Sequence, residues 1–377
     1  MDALMLPLNW QRVRLGDILT LKHGRDYKKF KLGNIPVYGS GGYMLSINNF
    51  LHNGESVCIG RKGTIDKPIY LNGKFWVVDT LFYSYSFKKS IPKFIFYAFS
   101  IIKWSNYNEA TGVPSLTKMT ISNIEIPLPP LNEQIAIANI LSDVDRYLYS
   151  LDALILKKES VKKALSFELL SQRKRLKGFN QAWQKVRLGT YKYRRGSFPQ
   201  PYGNPQWYSD NGMPFVQVYD VGENFKLNQK TKQKISKIAQ PMSVFVPKNS
   251  VIITLQGTIG RVALTQYDCY CDRTILIFDN NTLNDVNKYF FVLSLFTKFE
   301  EEKRKADGSI IKTITKQTLK DFEIPLPSLN EQIAIANILS DLDSEITSLK
   351  NKKRQFENIK KALNHDLMSA KIRVLKK

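Results

Sequence analysis

The sequence contains few of the residues that hold metal ions or disulfide frameworks. Of its 377 residues, three are cysteine and three are histidine. Cys58, Cys269 and Cys271 lack the paired spacing of a structural zinc site, which takes four Cys or His ligands, and they are too few for a disulfide scaffold. The scattered histidines suggest no Ser/His/Asp catalytic set. We therefore expect reduced thiols and no metal site.

Long apolar runs are also absent. No stretch of about 18 apolar residues occurs. The opening residues, MDALMLPLNW, lack the basic segment and the apolar core of a secretion signal. We expect a cytoplasmic protein with no membrane partner.

Motifs for nucleotide and methyl-donor chemistry are missing as well. The chain has no G-x-x-x-x-G-K-[ST] phosphate loop, which argues against ATP hydrolysis. Residues 204–207, NPQW, lack the second proline of the Asn/Asp-Pro-Pro-aromatic loop of amino-methyltransferases, and no Gly-rich strand-turn-helix precedes them. The carboxylate-lysine pattern of nucleases does not occur either. These absences predict a chain that is not an enzyme and that binds no cofactor itself.

Positive charge is what the sequence has in excess. Lys and Arg number 56 against 33 Asp and Glu, which gives a formal net charge of +23, and aromatic residues make up 12%. A large basic surplus with interspersed aromatics is typical of nucleic-acid-binding proteins. The alternatives are a solvated lysine-rich surface or basic faces that bind acidic proteins.

The chain contains an internal duplication with rigid spacing. The thirteen residues 131–143, LNEQIAIANILSD, return at 329–341, and EIPLP occurs at 125–129 and at 323–327. Both pairs share the offset 323 − 125 = 198, which a similar pair at 161–171 and 359–369 also follows. Spacing without insertions is typical of a long helix rather than a loop.

Apolar residues in these copies recur at intervals of three and four, as in a coiled-coil seam. The predicted seam consists of Ile137, Leu141, Val144, Leu148, Leu151, Ile335, Leu339, Leu342, Ile346 and Leu349. Lysines interrupt both copies, at Lys158 and Lys162 and at Lys353 and Lys360. Because neither helix can bury its seam alone, we expect the two to pack together. Asn132 is the expected cap of the first helix.

A second repeat marks two globular parts. WQRVRLG at 10–16 returns as WQKVRLG at 183–189, with the offset 183 − 10 = 173. The second part therefore has 198 − 173 = 25 additional residues, which we expect mainly at 191–213, a segment rich in Pro, Gly, Asn and aromatics. Short β-rich runs and one helical run predict a compact α/β domain in each part. The predicted ranges are 1–130 and 178–328 for the domains and 131–177 and 329–377 for the helices.

Two glycine turns are candidate DNA-binding elements. Gly63-Thr64-Ile65 and Gly257-Thr258-Ile259-Gly260 follow apolar runs, and a glycine there permits close approach of a ligand. An ordinary β-turn is the alternative. The candidate DNA-binding residues are basic or hydrogen-bonding residues near these turns, after the WQ repeats or before the EIPLP strands: Lys22, Arg25, Lys28, Arg61, Lys62, Thr64, Lys118, Arg194, Arg195, Gln256, Thr258, Arg261, Lys312 and Lys316. For any single residue, a solvated basic surface is the alternative.

The duplicated plan resembles the specificity subunit of type I restriction-modification enzymes. The resemblance rests on EIPLPxLNEQIAIANILSDxD, which occurs twice, once after each α/β part, and on the paired Gly-Thr-Ile turns, although Asp66 replaces the glycine that Gly260 supplies in the second turn. It implies a pseudo-twofold α/β (α+β) architecture, with two target recognition domains and an antiparallel helix pair.

The resemblance also implies partners and chemistry outside this chain. Each domain would recognise one half of a split, asymmetric site in double-stranded DNA, and the helices would set the gap between the halves. Two methyltransferase subunits would supply S-adenosylmethionine chemistry, and restriction subunits would use ATP and magnesium. A coiled-coil scaffold with basic faces for acidic protein partners is the alternative function.

Overall fold

The computed structural model of the protein describes residues 6–222, 224–257, 260–305 and 316–374, without the side chains of residues 305, 316 and 318. The chain divides into two compact units. The first unit comprises Met1–Ile155 and Ser348–Lys377, and the second comprises Leu156–Thr347. Each unit therefore contains one globular domain and a part of each of two long helices.

The first domain is built from short strands and three short α-helices. Its described strands are β1 Gln11–Arg14, β2 Thr20–His23, β3 Leu32–Gly39, β4 Gly42–Ile47, β5 His52–Asn53, β6 Ser56–Gly60, β7 Ile69–Leu71, β8 Lys74–Val77, β9 Leu81–Tyr85 and β10 Glu125–Leu128. Its helices are α1 Leu15–Ile18, α2 Pro92–Ile101 and α3 Lys118–Asn123, with a 3-10 helix at Trp104–Tyr107.

These strands form one two-stranded and two four-stranded sheets. The orders are β1-β10, β2-β9-β6-β7 and β4-β3-β8-β5. All pairs are antiparallel except β3 with β8, which pair in parallel through Val37–Trp76 and Tyr38–Val77. The strand that carries the EIPLP repeat, β10, thus pairs with β1, which lies within the first WQ repeat.

After the first long helix, α4 Leu131–Leu170, the second domain repeats this plan. Its described strands are β11 Gln184–Arg187, β12 Tyr193–Arg195, β13 Tyr208–Val216, β14 Gln233–Ile235, β15 Val244–Val246, β16 Val251–Thr254, β17 Val262–Leu264, β18 Cys269–Cys271, β19 Ile275–Phe278 and β20 Glu323–Leu326. Helices α5 Lys288–Lys305 and α6 Lys316–Lys320 precede β20. The sheet orders are β11-β20, β12-β19-β16-β17 and β14-β13-β18-β15, and β13 pairs with β18 in parallel.

The two long helices confirm the rigid spacing seen in the sequence. The first is α4, and the second is α7 at Leu329–Met368; each has 40 residues. The prediction that Asn132 caps α4 was wrong, because the helix begins at Leu131 and the backbone carbonyl of Pro130 accepts from the amides of Glu133 and Gln134. In the second copy, Ser328 lies immediately before α7.

The start of each long helix is buried in its globular domain. Ile137 and Leu141 belong to the first domain's core, together with Leu367 from the end of α7. Ile335 and Leu339 belong to the second domain's core, together with Leu169 from the end of α4. For this reason the compact units divide both helices, whereas the ranges drawn from the sequence separate helix from domain at residues 130 and 328.

The three cysteines offer a test of this packing. All are free and buried, and burial raises the pKa of Cys58 to about 12 and that of Cys271 well above its usual value. Because the thiolate is the reactive form, we expect no reaction of the native protein with Ellman's reagent at pH 8, and three reactive thiols in denaturant. Rapid labelling of a thiol in the native protein would contradict this packing.

Candidate nucleic-acid interface and helix pair

Several loops of the first domain meet beside the Gly63 turn. The Gly63 amide donates to the carbonyl of Pro114 at 2.8 Å, and Lys62 forms a β-bridge with Ser115. A Cβ atom at Gly63 would lie 3.1 Å from Ser40 Oγ, and φ at Gly63 is +90°, which disfavours other residues. The tip of the β3-β4 hairpin, the loop after β6 and the loop before α3 therefore form one contiguous cluster.

Most of the predicted first-domain residues lie in or next to this loop cluster. Arg61 is held by its Nε, which donates to the carbonyl of Asp79 at 2.7 Å, whereas Lys62 is exposed. Thr64, which is half-buried, follows the Gly63 turn, and exposed Lys118 begins α3. Arg25 is exposed and joins the end of β8, since its amide donates to the carbonyl of Val77 at 2.9 Å.

The remaining two candidates of this domain lie elsewhere. Lys22 is on β2, opposite Tyr83, and its ammonium lies 4.4 Å from the centroid of the Tyr85 ring. Lys28 lies in a turn where its amide donates to Asp26 Oδ1 at 3.2 Å, and its side chain is exposed. The structure therefore does not gather all the candidates at one surface.

The second domain has an equivalent cluster. Gly257 has φ +72°, and a Cβ atom there would lie 3.6 Å from Cγ2 of Val218, which follows β13. In the first domain, Gly63 lies in the same way beside Ser40, which follows β3. Gln256 is exposed beside it, and Arg261 donates through Nη1 to the carbonyl of Val221 at 3.1 Å. The same topology thus brings the glycine turn and the end of the parallel strand together in both domains.

The other predicted residues of the second domain vary in position. Arg194 and Arg195 are exposed on β12, and Arg194 Nη2 donates to the carbonyl of Phe245 at 3.0 Å. Lys316 begins α6. Thr258 and Lys312 lie outside the described residues, as does the side chain of Lys316.

The additional length of the second domain lies beside this cluster, so the prediction that it falls mainly at 191–213 was wrong. Tyr38 and Val216 occupy equivalent places in the parallel strand pairs, with the offset 216 − 38 = 178. Gly60 and Thr254 are equivalent in the neighbouring sheet, with the offset 254 − 60 = 194. Consequently 194 − 178 = 16 of the 25 additional residues lie between β13 and β16.

This region also holds basic residues that the sequence reasoning missed. Lys226, Lys230, Lys232, Lys234 and Lys237 are all exposed. Their close spacing within twelve residues was a visible signal.

Cross-helix ion pairs explain the lysines that interrupt the predicted seam. In the first unit, Lys360 pairs with Asp145, and Lys353 pairs with Asp152 at 2.6 Å. In the second unit, Lys162 pairs with Asp343, and Lys158 pairs with Glu345 at 2.8 Å. Within each unit, residue numbers rise along one helix as they fall along the other, so the helices run antiparallel there.

The ion pairs follow the internal repeat. Asp145 and Lys162 correspond to Asp343 and Lys360 at the offset 343 − 145 = 198, so the two pairs are equivalent. Each aspartate also accepts from a tyrosine hydroxyl of the adjoining domain: Tyr97 at 2.7 Å for Asp145, and Tyr289 for Asp343. Burial, with the neighbouring carboxylate as a further cause, raises the pKa of both tyrosines.

The predicted seam residues between the helix ends are partly buried. Leu151 and Ile346 are buried, whereas Val144, Leu148, Leu342 and Leu349 are half-buried. Tyr147 and Phe356 contact each other in the first unit with ring centroids 4.6 Å apart. Their equivalents at offset 198 are Glu345 and Lys158, so an aromatic pair in one unit corresponds to an ion pair in the other.

In each unit, a buried carboxylate at the start of one long helix contacts a tryptophan of the globular domain and an arginine that follows the end of the other long helix. In the first unit, Glu133 accepts from Trp10 Nε1 at 3.0 Å and from Arg373 Nε at 2.8 Å. In the second unit, Glu331 accepts from Trp183 Nε1 at 3.2 Å and from Arg175 Nη2 at 2.9 Å. We call each set a carboxylate clasp.

The chain matches the profile of one protein family in two segments. Residues 7–159 and 200–358 match the profile of the type I restriction modification DNA specificity domain, which is most of the chain. The chain belongs to this family of DNA specificity proteins.

Individual specificity proteins agree with this assignment. The chain is 26% identical, over 99% of its length and 95% of the relative, to the type I restriction enzyme MjaVIII specificity subunit of Methanocaldococcus jannaschii. The type I restriction-modification S subunit of M. genitalium has the same fold, with a TM-score of 0.67 at 16% identity, covering 97% of both chains. A chain from a structure of the complex assembly and conformational transition of the type I R-M system matches with a TM-score of 0.57 at 17% identity, covering 97% and 98%.

No helix among residues 6–222, 224–257, 260–305 and 316–374 is long and apolar enough to cross a membrane. Within the same residues, no three His, Cys, Asp or Glu side chains are grouped so that they could hold a metal ion.

Proposed function

We propose that this chain recognises a bipartite, asymmetric DNA sequence, with one domain for each half-site. The observation that carries the proposal is the repetition of one loop cluster on two domains of equal topology whose loops differ in length and charge. Phosphate contacts position a protein on the duplex, and contacts to base edges confer sequence preference. Different loops on the same scaffold therefore give two different half-sites.

The helix pair sets the gap between the half-sites in this proposal. A helix of 40 residues is about 60 Å long at 1.5 Å per residue. Repeated protein modules match the spacing of their DNA half-sites to their own separation. Within each unit, the ion pairs fix the register of the two helices against each other.

The chain contributes recognition and its partners contribute chemistry. We place two methyltransferase subunits, which use S-adenosylmethionine, on this chain, and restriction subunits that use ATP and Mg²⁺ in the full complex. The lack of nucleotide and methyl-donor motifs in the sequence supports a non-catalytic subunit.

Methylome mapping tests the proposal. Cells that express this chain with its methyltransferase subunits are expected to methylate one split sequence with a gap of fixed length. The control is the same cells without this chain, which should lack that methylation. Methylation at an uninterrupted sequence, or none that depends on this chain, would contradict the proposal.

The salt dependence of DNA binding separates this function from an acidic-protein scaffold. DNA binding should weaken steeply with salt, with a slope of log affinity on log salt of about −0.9 per phosphate contact. Filter binding of a duplex to the chain with its methyltransferase subunits measures this slope. A scaffold for acidic proteins would show no measurable DNA binding in the same assay.

A further inference from the structure

The loops after the parallel strands differ in charge between the two domains. We call residues 40–51 the first tip segment and residues 218–245 the second tip segment; they are equivalent by the strand offsets given above. The first has twelve residues and no charged side chain. The second has five lysines, and its acidic residues are Asp220 and Glu223.

The lysines of the second tip segment face solvent, whereas its described acid does not. Lys226, Lys230, Lys232, Lys234 and Lys237 are exposed, and Asp220 is 1% exposed. The Asp220 carboxylate accepts from the amides of Gln217 and Lys232, both at 2.9 Å. Glu223 lies outside the described residues. Asp220 therefore organises the loop from inside and leaves the lysine side chains at the surface.

This basic segment adjoins the glycine turn. The Leu264 amide donates to the carbonyl of Phe225 at 3.0 Å, which joins the segment to β17. Arg261 donates to Val221 within the segment. Lys232 lies 5.1 Å from the centroid of the Tyr219 ring, which is 44% exposed. An exposed aromatic thus lies beside the lysines.

The first tip segment presents a different surface. Tyr43 and Met44, on β4, are 63% and 47% exposed. The turn that precedes them is tight, with Gly42 at φ +113° and open space around its Cβ position. This tip offers apolar and hydroxyl contacts but no cation for a phosphate.

We propose that the second tip segment is a phosphate-binding arm, so that the second domain supplies more of the salt-dependent DNA affinity than the first. The proposal rests on the proposed DNA-recognition function and adds that the two domains contribute unequally to DNA affinity. Lysines act on phosphate as point charges without sequence preference. The arm therefore strengthens binding of the duplex beside the second half-site and does not select its bases.

The test is a triple variant, Lys226→Gln, Lys230→Gln and Lys232→Gln, in the complex with the methyltransferase subunits. Loss of three phosphate contacts should reduce the magnitude of the salt slope by about 2 to 3. Equivalently, the ratio of wild-type to variant affinity should fall roughly sixfold when monovalent salt rises from 0.1 to 0.2 M. The probe is a 40-bp duplex of random sequence, measured by filter binding, and then the same length with the mapped site.

The control variant removes the same charge elsewhere. Lys88→Gln, Lys174→Gln and Lys185→Gln change three exposed lysines outside both tip segments. The control is expected to change the slope by less than about 1. Equal slope changes in the two triple variants would overturn the proposal, since they would reflect total charge alone.

Methylome mapping of the lysine variant gives the second readout. A phosphate role predicts weaker methylation at an unchanged bipartite sequence. A changed second half-site would overturn the phosphate assignment and assign base recognition to the arm. If wild-type complex binds no DNA, the proposed function itself fails, and this outcome differs from an unchanged slope in a complex that does bind.

Discussion

Insertion of seven residues into both long helices is expected to lengthen the gap between the half-sites by about three base pairs, because seven residues add about 10 Å of helix and a base pair rises 3.4 Å. The insertions go between Ile155 and Leu156 in α4 and between Thr347 and Ser348 in α7, where the two compact units divide. Seven residues preserve the heptad pattern of the apolar seam. Both half-sites should stay unchanged in the methylome.

The control for this experiment inserts seven residues into α4 alone. The insertion point lies between two ion pairs, Lys353–Asp152 and Lys158–Glu345. Seven extra residues in α4 alone shift its register against α7, so both pairs cannot form at the same time. We expect loss of site-specific methylation rather than a longer gap. An unchanged gap in the double insertion, with altered half-sites, would contradict the role of the helices as a spacer.

The carboxylate clasp of the first unit is expected to stabilise the fold of that unit. Arg373→Ala is expected to lower the free energy of unfolding of this unit by about 3 kcal/mol, because it leaves a buried carboxylate without its cation. Glu133 is 2% exposed, and Trp10 Nε1 remains as a donor to it. For a unit of this size the loss corresponds to a Tm lower by about 6–12 °C. Thermal unfolding followed by circular dichroism measures it.

Variants of the two equivalent arginines show whether each clasp stabilises only its own unit. Arg175→Ala removes the equivalent cation from the second unit. Hydrogen exchange should then increase at β11 and β20 in Arg175→Ala, and at β1 and β10 in Arg373→Ala. The double variant Glu133→Gln with Arg373→Ala should recover about 1–2 kcal/mol relative to additivity, since the buried charge is gone. Equal exchange changes in both units, or strict additivity, would contradict the clasp.

The sequence predicted the long helices well because repetition at one offset constrains every residue between its ends. The start of each helix and its apolar face follow from the copies at 131–143 and 329–341. The predicted ranges, 131–177 and 329–377, extend past the ends of the helices at Leu170 and Met368. The cap at Asn132 was predicted wrongly, because residue preference alone does not show which backbone carbonyl accepts the first helical hydrogen bonds; here it is that of Pro130. The lysines at 158 and 162 interrupted the pattern for a reason visible only with Glu345 and Asp343 opposite them.

The candidate interface was harder to predict because it is made by contacts between loops distant in sequence. The Gly63 turn was found, but its neighbours Ser40 and Pro114 carry no motif. The additional residues were assigned to a Pro- and Gly-rich segment by composition, whereas strand pairing places most of them after Val216. Similarly, the sequence gives no signal for the contact between Glu133 and Arg373, because the two residues are 240 positions apart.

In the proposed function, each domain recognises its own half-site independently of the other. Replacement of residues 178–328 by the second domain of another member of the family, followed by methylome mapping, tests this independence. We predict a new second half-site, with the first half-site and the gap retained. A change in the first half-site, or an unchanged second one, would show that the domains do not recognise their half-sites independently.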